Sequence, residues 1–170
     1  MKQREGAATF LGNPLTLEGS EVKVGDRIPD ITLMKPDLTT YSLSEGMGEA
    51  RLIASVPSID TPVCDAEIRR LSEEVAKLDN VRILAVSADL PFAQARWCAA
   101  QGLDKVTMLS DHRELAFGKA LGISIKELRL LGRAIFVLDP EGRVTHVEYV
   151  RELTEHPDYE AAVSALKRAA

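Results

Sequence analysis

The sequence predicts an α/β domain in which short strands alternate with helices. An apolar run from Arg51 to Val56 precedes a helical pattern, and a near-continuous apolar run from Val81 to Ala88 is typical of a strand covered on both faces. No repeat or low-complexity linker interrupts the 170 residues. Since 45% of the residues are hydrophobic, the chain can bury a sizeable core, and we expect one domain over residues 1–170.

Two hairpins are predicted before the central unit. Residues 8–18 alternate polar and apolar side chains after the turn-forming residues Gly12-Asn13-Pro14, which is typical of two short strands. Residues 31–34 and 39–43 form a second pair around a Pro36-Asp37 turn. Both pairs are therefore expected to be antiparallel and local in sequence.

The central unit begins with the strand over residues 51–56. Pro57 ends this strand, because proline cannot donate a hydrogen bond to a sheet ladder. The following apolar residues recur at the spacing of one helical face: Ile68, Leu71, Val75 and Leu78. A helix is therefore predicted from about Cys64, and the strand over residues 81–88 completes a βαβ unit.

The remaining elements are predicted in the order helix, strand, helix, strand pair and helix. Their ranges are 91–102, 106–110, 114–122, 134–139 with 143–150, and roughly 157–168. Pro140-Glu141-Gly142 joins the strand pair, so these strands should be antiparallel. A parallel βαβ unit that is followed by a hairpin and a terminal helix has the order of a thioredoxin-like sheet. The lack of a C-x-x-C sequence at its strand-to-helix turn excludes an ordinary thioredoxin-type dithiol.

Cys64 lies at the start of the first predicted helix. Thr61 and Pro62 are predicted to be its N-cap and first helical residue, since a threonine hydroxyl can accept a hydrogen bond from a free amide and proline has no amide to leave unpaired. Cys64 is then the third helical residue. Free amides and the helix dipole favour a thiolate, and cysteines so placed have pKa values lowered from about 8.5 to between about 3.5 and 7.5. A small buried residue without reactivity is the alternative interpretation.

The pattern Pro-x-x-x-Thr-x-x-Cys, formed by Pro57, Thr61 and Cys64, resembles the active-site motif of the peroxiredoxins. Three more segments resemble the thiol peroxidase branch of that family: Cys98 within ARWCAAQG, Arg133 within LGRAIFVLD, and the closing ELTEHPDYEAAVSAL. The segment ATFLGNPLTLEGS resembles its additional hairpin. The likeness covers essentially the whole chain, and it implies a thioredoxin-like fold of the peroxiredoxin type with an N-terminal β-hairpin extension.

The resemblance implies distinct roles for the two cysteines. Cys64 would be the peroxidatic cysteine that reduces hydrogen peroxide and organic hydroperoxides. Cys98 would resolve it by forming an intramolecular disulfide, with thioredoxin as the reductant and a homodimer as the assembly. Both cysteines are predicted within helices, and a disulfide needs Cα atoms within about 7 Å. We therefore expect one or both helix ends to unwind when the bond forms.

The same resemblance implies the residues that support the chemistry. Arg133 would lie behind the sulfur and stabilise both the thiolate and the developing oxyanion. Thr61 would form a hydrogen bond with the sulfur or the hydroperoxide, and the backbone amides of Val63 and Cys64 would act as fixed donors. Pro57 would shape the turn and shield the sulfur from water.

Charge and composition argue against several other classes. The net charge is −5 and the basic residues are scattered, so nucleic acid is not an expected partner. The sequence shows no signal-peptide core and no uncharged run near the ~20 residues of a membrane span, so we expect no membrane association and a cytoplasmic location. The three histidines are isolated and the two cysteines lie 34 positions apart, so neither a metal nor a cofactor is expected.

Three alternatives remain open from the sequence. A redox sensor could use the Cys64 and Cys98 pair as a switch without significant turnover. A binding domain of the same fold could carry two inert, buried thiols. A cysteine hydrolase would need a histidine beside Cys64, and His146 is the one candidate we consider, although a half-exposed strand residue is the simpler interpretation of it.

Overall fold

The computed structural model of the chain describes residues 1–102 and 105–170. Within these ranges the strands are β1 (Gln3–Phe10), β2 (Asn13–Glu18), β3 (Thr32–Met34), β4 (Thr40–Ser42), β5 (Ala50–Ser55), β6 (Val81–Ser87), β7 (Val106–Ser110), β8 (Ser124–Ile125), β9 (Leu130–Leu131), β10 (Arg133–Leu138) and β11 (Val144–Val150). The helices are α1 (Pro62–Val75), α2 (Pro91–Gln101), α3 (Ala116–Ala120) and α4 (Tyr159–Ala169), with a short 3-10 helix at Leu43–Gly46.

A seven-stranded sheet forms the centre of this described part. Its order is β11-β10-β5-β6-β7-β3-β4, with β5, β6 and β7 parallel and the outer strands antiparallel. The amino-terminal hairpin instead joins β8 and β9 in a separate four-stranded sheet. Parallel strands end at one edge of a sheet, and α1 and α2 begin at that edge, where α/β proteins place their sites.

The central strands bury side chains on both faces of the sheet. Along β10, Ile135 belongs to the core under α1 and α4, whereas Ala134 belongs to the core that includes α3. Successive strand residues point to opposite faces. Arg133 therefore shares the face of Ile135, and this alternation brings an arginine under the helix that carries Cys64.

The structure confirms the thioredoxin-like α/β fold, the βαβ unit and the antiparallel strand pair at the carboxyl-terminal end. Several boundaries differ from the predicted ones. The helix predicted over residues 114–122 is shortened to Ala116–Ala120, and two further differences have a clear cause. β1 begins at Gln3 rather than at residue 8, because Gln3 and Arg4 already pair with β2 before an irregularity that ends at Ala8. α1 ends at Val75, and Leu78 packs against the core from the following turn rather than from the helix.

Two strands were missed by the sequence patterns. β8 and β9 have two residues each, too few for any alternation to be visible. They form on the free edge of β2, where Ile125 of β8 pairs with Leu17 of β2. Among the described residues, none of the helices combines the length and the apolar character that crossing a membrane requires.

Candidate active site

β5 leads the chain into the turn that carries Cys64. Val56 still donates to the carbonyl oxygen of Val86 over 3.0 Å, and Pro57, which has no N–H, ends the ladder. α1 then begins at Pro62, which makes Cys64 its third residue, as predicted. The thiol therefore lies in the first turn of a helix, at the carboxyl edge of the parallel strands.

Thr61 is the N-cap residue of α1, but the predicted cap bond is wrong. Its hydroxyl does not accept from the helix and instead donates to the carbonyl oxygen of Ser58 over 2.9 Å, because the preceding turn presents that oxygen. The amides of Val63 and Cys64 have no hydrogen-bond partner among residues 1–102 and 105–170. Two donors therefore stay free beside the sulfur.

Asp89, which the sequence patterns missed, fixes the turn between β5 and α1. Its carboxylate accepts from the Ser58 hydroxyl at 2.7 Å, the Ile59 amide at 2.8 Å and the Ser87 hydroxyl at 2.6 Å. The carboxylate therefore ties the Cys64 turn to the end of β6. The only signal in the sequence is an acidic residue directly after the second parallel strand.

Arg133 contacts the Cys64 sulfur directly. Its Nη2 lies 3.2 Å from Sγ, and the two residues are 3% and 0% exposed. A buried cation beside a buried thiol stabilises the thiolate over the neutral form. The predicted proximity of Arg133 to Cys64 is confirmed.

Glu67 completes this buried cluster and was not predicted. Its carboxylate lies 2.6 Å from Nη1 of Arg133, and it is fully buried. Burial raises the pKa of Glu67 to about 7, although the charge of Arg133 opposes the rise. Burial alone would lower the pKa of Arg133. The charges of Cys64 and Glu67 outweigh burial, so that the pKa of Arg133 is raised. One positive charge is thus shared by two acidic groups, and the visible signal is an acidic residue one helical turn after Cys64.

The remaining donors of Arg133 fix its orientation. Nε and Nη2 both donate to the carbonyl oxygen of Leu153, at 3.0 Å and 2.8 Å. Tyr159 packs in the same core, and burial, reinforced by the charge of Glu67, raises its pKa to about 12. The guanidinium is therefore held by a backbone carbonyl and a carboxylate while it faces the sulfur.

Cys98 lies in α2 and is a free thiol, as is Cys64. It is half-buried against the core that contains Cys64, and burial raises the pKa of the Cys98 thiol. The neighbouring Trp97 is largely buried and donates from Nε1 to Asp65 over 2.6 Å. The structure therefore places the second thiol on the helix next to α1, without a bond to the first.

Comparisons with known proteins agree with this geometry. Residues 23–163 match the model of the Redoxin family. Curated thiol peroxidases of Halalkalibacterium halodurans and Bacillus subtilis are 58% and 56% identical, over 95% and 94% of this chain and 97% and 95% of theirs. The chain belongs to the thiol peroxidase branch of the peroxiredoxins. A peroxiredoxin-like protein from Aquifex aeolicus superposes with a TM-score of 0.90 at 37% identity, over 97% of this chain and 98% of that one.

Membership of this branch decides the class of activity. The chain is a peroxidase, an oxidoreductase that acts on peroxides and depends on thiol redox chemistry. A sensor without turnover is not favoured, because relatives with 48% to 58% identity over most of the chain are thiol peroxidases.

Geometry does not support the hydrolase alternative for this thiol peroxidase. His146 pairs with Val137 on β10, four residues along the strand from Arg133. At about 3.3 Å per residue, that separation is roughly 13 Å from the residue that contacts Cys64. Residues 1–102 and 105–170 also contain no group of three or more His, Cys, Asp or Glu side chains that could hold a metal ion.

Proposed function

We propose that Cys64 is the residue that reduces the hydroperoxide. The observation that carries this proposal is the 3.2 Å contact between its sulfur and Arg133, in a buried site at the start of a helix. Cys98 has no such environment, since burial raises the pKa of its thiol and so favours the neutral form. The surroundings of the two cysteines therefore differ in the way expected for a thiol that attacks the hydroperoxide and a thiol that reacts afterwards.

The proposed first step is attack of the Cys64 thiolate on one oxygen of the hydroperoxide. A sulfur–oxygen bond forms, the oxygen–oxygen bond breaks, and the leaving oxygen takes a proton to depart as water or an alcohol. The sulfur is oxidised by two electrons to a sulfenic acid while the peroxide is reduced. The products contain all the atoms of the thiol and the hydroperoxide, so no further reactant is required.

Stabilisation of the transition state must supply most of the rate. A thiol with a pKa of about 8.5 is already a few per cent ionised at neutral pH, so full ionisation gains only about one to two orders of magnitude. Arg133 and the free amides of Val63 and Cys64 are fixed donors that can stabilise the charge on the departing oxygen. They would hold the hydroperoxide against the sulfur.

Thr61 and Pro57 would support this arrangement. The Thr61 hydroxyl donates its hydrogen bond to the carbonyl oxygen of Ser58. The Thr61 oxygen therefore keeps lone pairs that can accept a hydrogen bond from the hydroperoxide. Pro57 is buried and lies just after β5, seven positions before Cys64, so it would fix the path of the loop between them. The exposed Pro62 would pre-set the first turn of α1.

The cycle would close through Cys98. We propose that Cys98 forms an intramolecular disulfide with the oxidised Cys64 and that thioredoxin reduces this disulfide. Both thiols border the same core, and α1 and α2 start at the same sheet edge. A homodimer is the assembly that the family resemblance implies, and a cytoplasmic location stays the prediction from the sequence.

The test is peroxide consumption by the reduced protein with and without a thioredoxin system. We expect one equivalent of peroxide to be consumed without the reductant and continuous turnover with it. Cys64→Ser should consume none under either condition. Consumption by that variant would overturn the assignment of Cys64, whereas a single turnover without sustained reduction by thioredoxin would overturn only the reductant.

A further inference from the structure

One hydrogen bond joins the immediate neighbours of the two cysteines. Nε1 of Trp97, the residue before Cys98, donates to the carboxylate of Asp65, the residue after Cys64, over 2.6 Å. We propose that this Asp65–Trp97 bond is a latch that holds α1 and α2 in the closed, peroxide-reactive form, and that its opening limits the rate at which Cys98 resolves Cys64. This inference rests on the roles proposed above for the cysteines.

The latch keeps the two sulfurs directed apart. In the sheet order, β10 lies on one side of β5 and β6, and β7, on which α2 packs, lies on the other. Adjacent helical residues point about 100° apart. Cys64 reaches towards Arg133 on β10, whereas Asp65 reaches towards α2. While both contacts persist, the Cys64 sulfur is turned away from the helix that carries Cys98.

The bond is suited to hold the helices together. Trp97 is 9% exposed and belongs to the core that contains Cys64, so its N–H has little access to water when the helices are closed. Burial alone would raise the pKa of Asp65, but the hydrogen bonds from Trp97 and Arg69 outweigh it and lower the pKa. The acceptor is therefore a carboxylate, and hydrogen bonds to ionised groups are the stronger kind.

The structure also indicates which part of α2 opens. The side chain of Gln94 is fully buried and donates to the Ser87 hydroxyl at 3.1 Å and the Leu109 carbonyl at 2.9 Å, which anchors the first half of the helix. The last turn ends at Gly102, whose N–H bonds the carbonyl of Cys98. Unwinding of residues 95–101 would release Trp97 and Cys98 together while the anchored half stays in place.

Opening changes the chemistry of Cys98 as well as its position. Burial raises the pKa of this thiol in the closed form, and exposure would remove that effect and increase its thiolate fraction. The Cys98 thiolate then attacks the Cys64 sulfenic sulfur. A sulfur–sulfur bond forms, the sulfur–oxygen bond breaks, and the oxygen leaves as water after taking up a proton.

The latch would thus determine how much of the sulfenic acid is oxidised further and how much forms the disulfide. In the closed form a second hydroperoxide can oxidise it to sulfinic acid, whereas in the open form Cys98 captures it. A weaker latch should favour the disulfide. It should leave the first step unchanged, since neither Asp65 nor Trp97 contacts the Cys64 sulfur among the described hydrogen bonds.

The test uses variants that break the bond from either side. Asp65→Ala and Trp97→Phe both lose it, Asp65→Asn keeps an acceptor without the charge, and Arg96→Ala is the matched control. The control breaks a different tie, an exposed ion pair at 3.2 Å from Arg96 on α2 to Asp60 in the turn before α1. Each reduced protein is mixed with one equivalent of hydrogen peroxide, and sulfenic acid and disulfide are followed by quenched mass spectrometry.

We expect disulfide formation to be roughly tenfold faster in Asp65→Ala and Trp97→Phe, in line with the loss of a hydrogen bond to a charged group. Asp65→Asn should lie between these variants and the wild type, and Arg96→Ala should match the wild type. The two faster variants should need more peroxide for the same fraction of sulfinic acid. All four should form sulfenic acid at the wild-type rate.

Unchanged disulfide rates in both bond-breaking variants would overturn the latch. Failure of the wild type to form sulfenic acid on Cys64, or a disulfide with Cys98, would overturn the proposed function instead. Urea unfolding verifies that each variant is folded, and if one of the two bond-breaking variants fails to fold, the other decides the question. The wild type offers an independent measurement, because Trp97 is the only tryptophan in the sequence. A fluorescence change that follows disulfide formation, rather than accompanying or preceding it, would also overturn the latch.

Discussion

Arg133 bridges Cys64 and Glu67, with Nη2 3.2 Å from the sulfur and Nη1 2.6 Å from the carboxylate. The two acidic groups are three positions apart on α1, so they lie on the same face of the helix. A single buried cation thus contacts both the thiol that we propose to react and a carboxylate that has no proposed part in the reaction. The protonation state of Glu67 therefore determines how much of that charge is available to Cys64.

The first prediction concerns the reacting sulfur. Cys64→Ser should reduce peroxide consumption to background, because the serine alcohol has no accessible anion to replace a thiolate. The fold should survive, since the substitution is nearly isosteric, and circular dichroism with urea unfolding verifies this. Cys98→Ser is the control, and it should retain the first turnover. Equal residual activity in both variants would contradict the different roles of the cysteines.

The second prediction concerns the cation. Arg133→Ala should lower the second-order rate with peroxide by about 10²- to 10³-fold, the usual cost of losing one fixed donor to developing charge. Stability should fall by about 3 to 5 kcal/mol, because Glu67 is left buried without its partner. Stopped-flow kinetics and urea unfolding measure the two effects.

A double variant separates catalysis from stability. Arg133→Ala with Glu67→Gln removes both charges, so most of the lost stability should return while the rate stays low. Arg133→Lys keeps the charge but not the flat set of donors that reaches Cys64, Glu67 and Leu153 at once. Recovery of the wild-type rate in the double variant would show that Arg133 acts only on the fold.

The sequence predicts the parts of this site that depend on local spacing. The position of Cys64 followed from Pro57, Thr61 and Pro62, because caps and helix starts are encoded within a few residues. Arg133 was found through the family resemblance. The sheet face to which its side chain points depends on the register in which β10 pairs with β5. Spacing alone could not establish that register.

Other features depend on contacts between distant segments. Glu67 was overlooked because an acidic residue on a helix is usually solvated, and only the packing of α4 and β10 buries it. Asp89 acts on a turn about 30 residues earlier in the chain, which no local pattern reveals. The Thr61 hydroxyl was misassigned for a similar reason, since the competing carbonyl of Ser58 depends on the shape of the turn.

The third prediction concerns Thr61. Thr61→Val removes an oxygen that can accept from the hydroperoxide, so the rate should fall by about 10²-fold. The free energy of unfolding should change by less than about 1 kcal/mol, because the residue is exposed and water can reach the Ser58 carbonyl. Thr61→Ser keeps the hydroxyl and should keep most of the rate. A similar loss in both variants would assign the effect to packing rather than to the hydroxyl.

The fourth prediction concerns pH and Glu67. Burial raises its pKa from 4.5 to about 7, so the folded protein holds a proton that the unfolded chain releases within this window. The free energy of unfolding should therefore fall as the pH rises through that range. Asp111, whose pKa burial raises to about 6, acts in the same direction. Glu67→Gln should remove roughly 2 to 3 kcal/mol of the fall and leave the part due to Asp111.

Urea unfolding at about pH 5 and about pH 8 measures this difference. Glu74→Gln, on an exposed face of the same helix, is the matched control and should follow the wild type. Parallel pH profiles for the wild type and Glu67→Gln would contradict the buried, proton-binding carboxylate.

The last prediction concerns the disulfide. The structure holds Cys64 in the first turn of α1 and Cys98 in the second half of α2, and a disulfide requires Cα atoms within about 7 Å. Oxidation with one equivalent of peroxide should therefore give a monomeric disulfide on non-reducing gels, with faster amide exchange in two segments. The first is residues 61–66. In α2 the faster exchange should be confined to residues 95–101, because buried Gln94 anchors the half before them.

Closing a loop of 34 residues offsets the helical bonds that are lost. In the entropy model the cross-link destabilises the unfolded chain by roughly 3 to 4 kcal/mol, so the oxidised form should remain folded in moderate urea. In Cys98→Ser no disulfide should form, and Cys64 should stop at sulfenic acid or oxidise further. A disulfide-linked dimer of the wild type would make resolution intermolecular, and it would contradict this prediction while leaving the role of Cys64 intact. Uniform exchange along the whole of α2 would instead show that Gln94 does not anchor the helix.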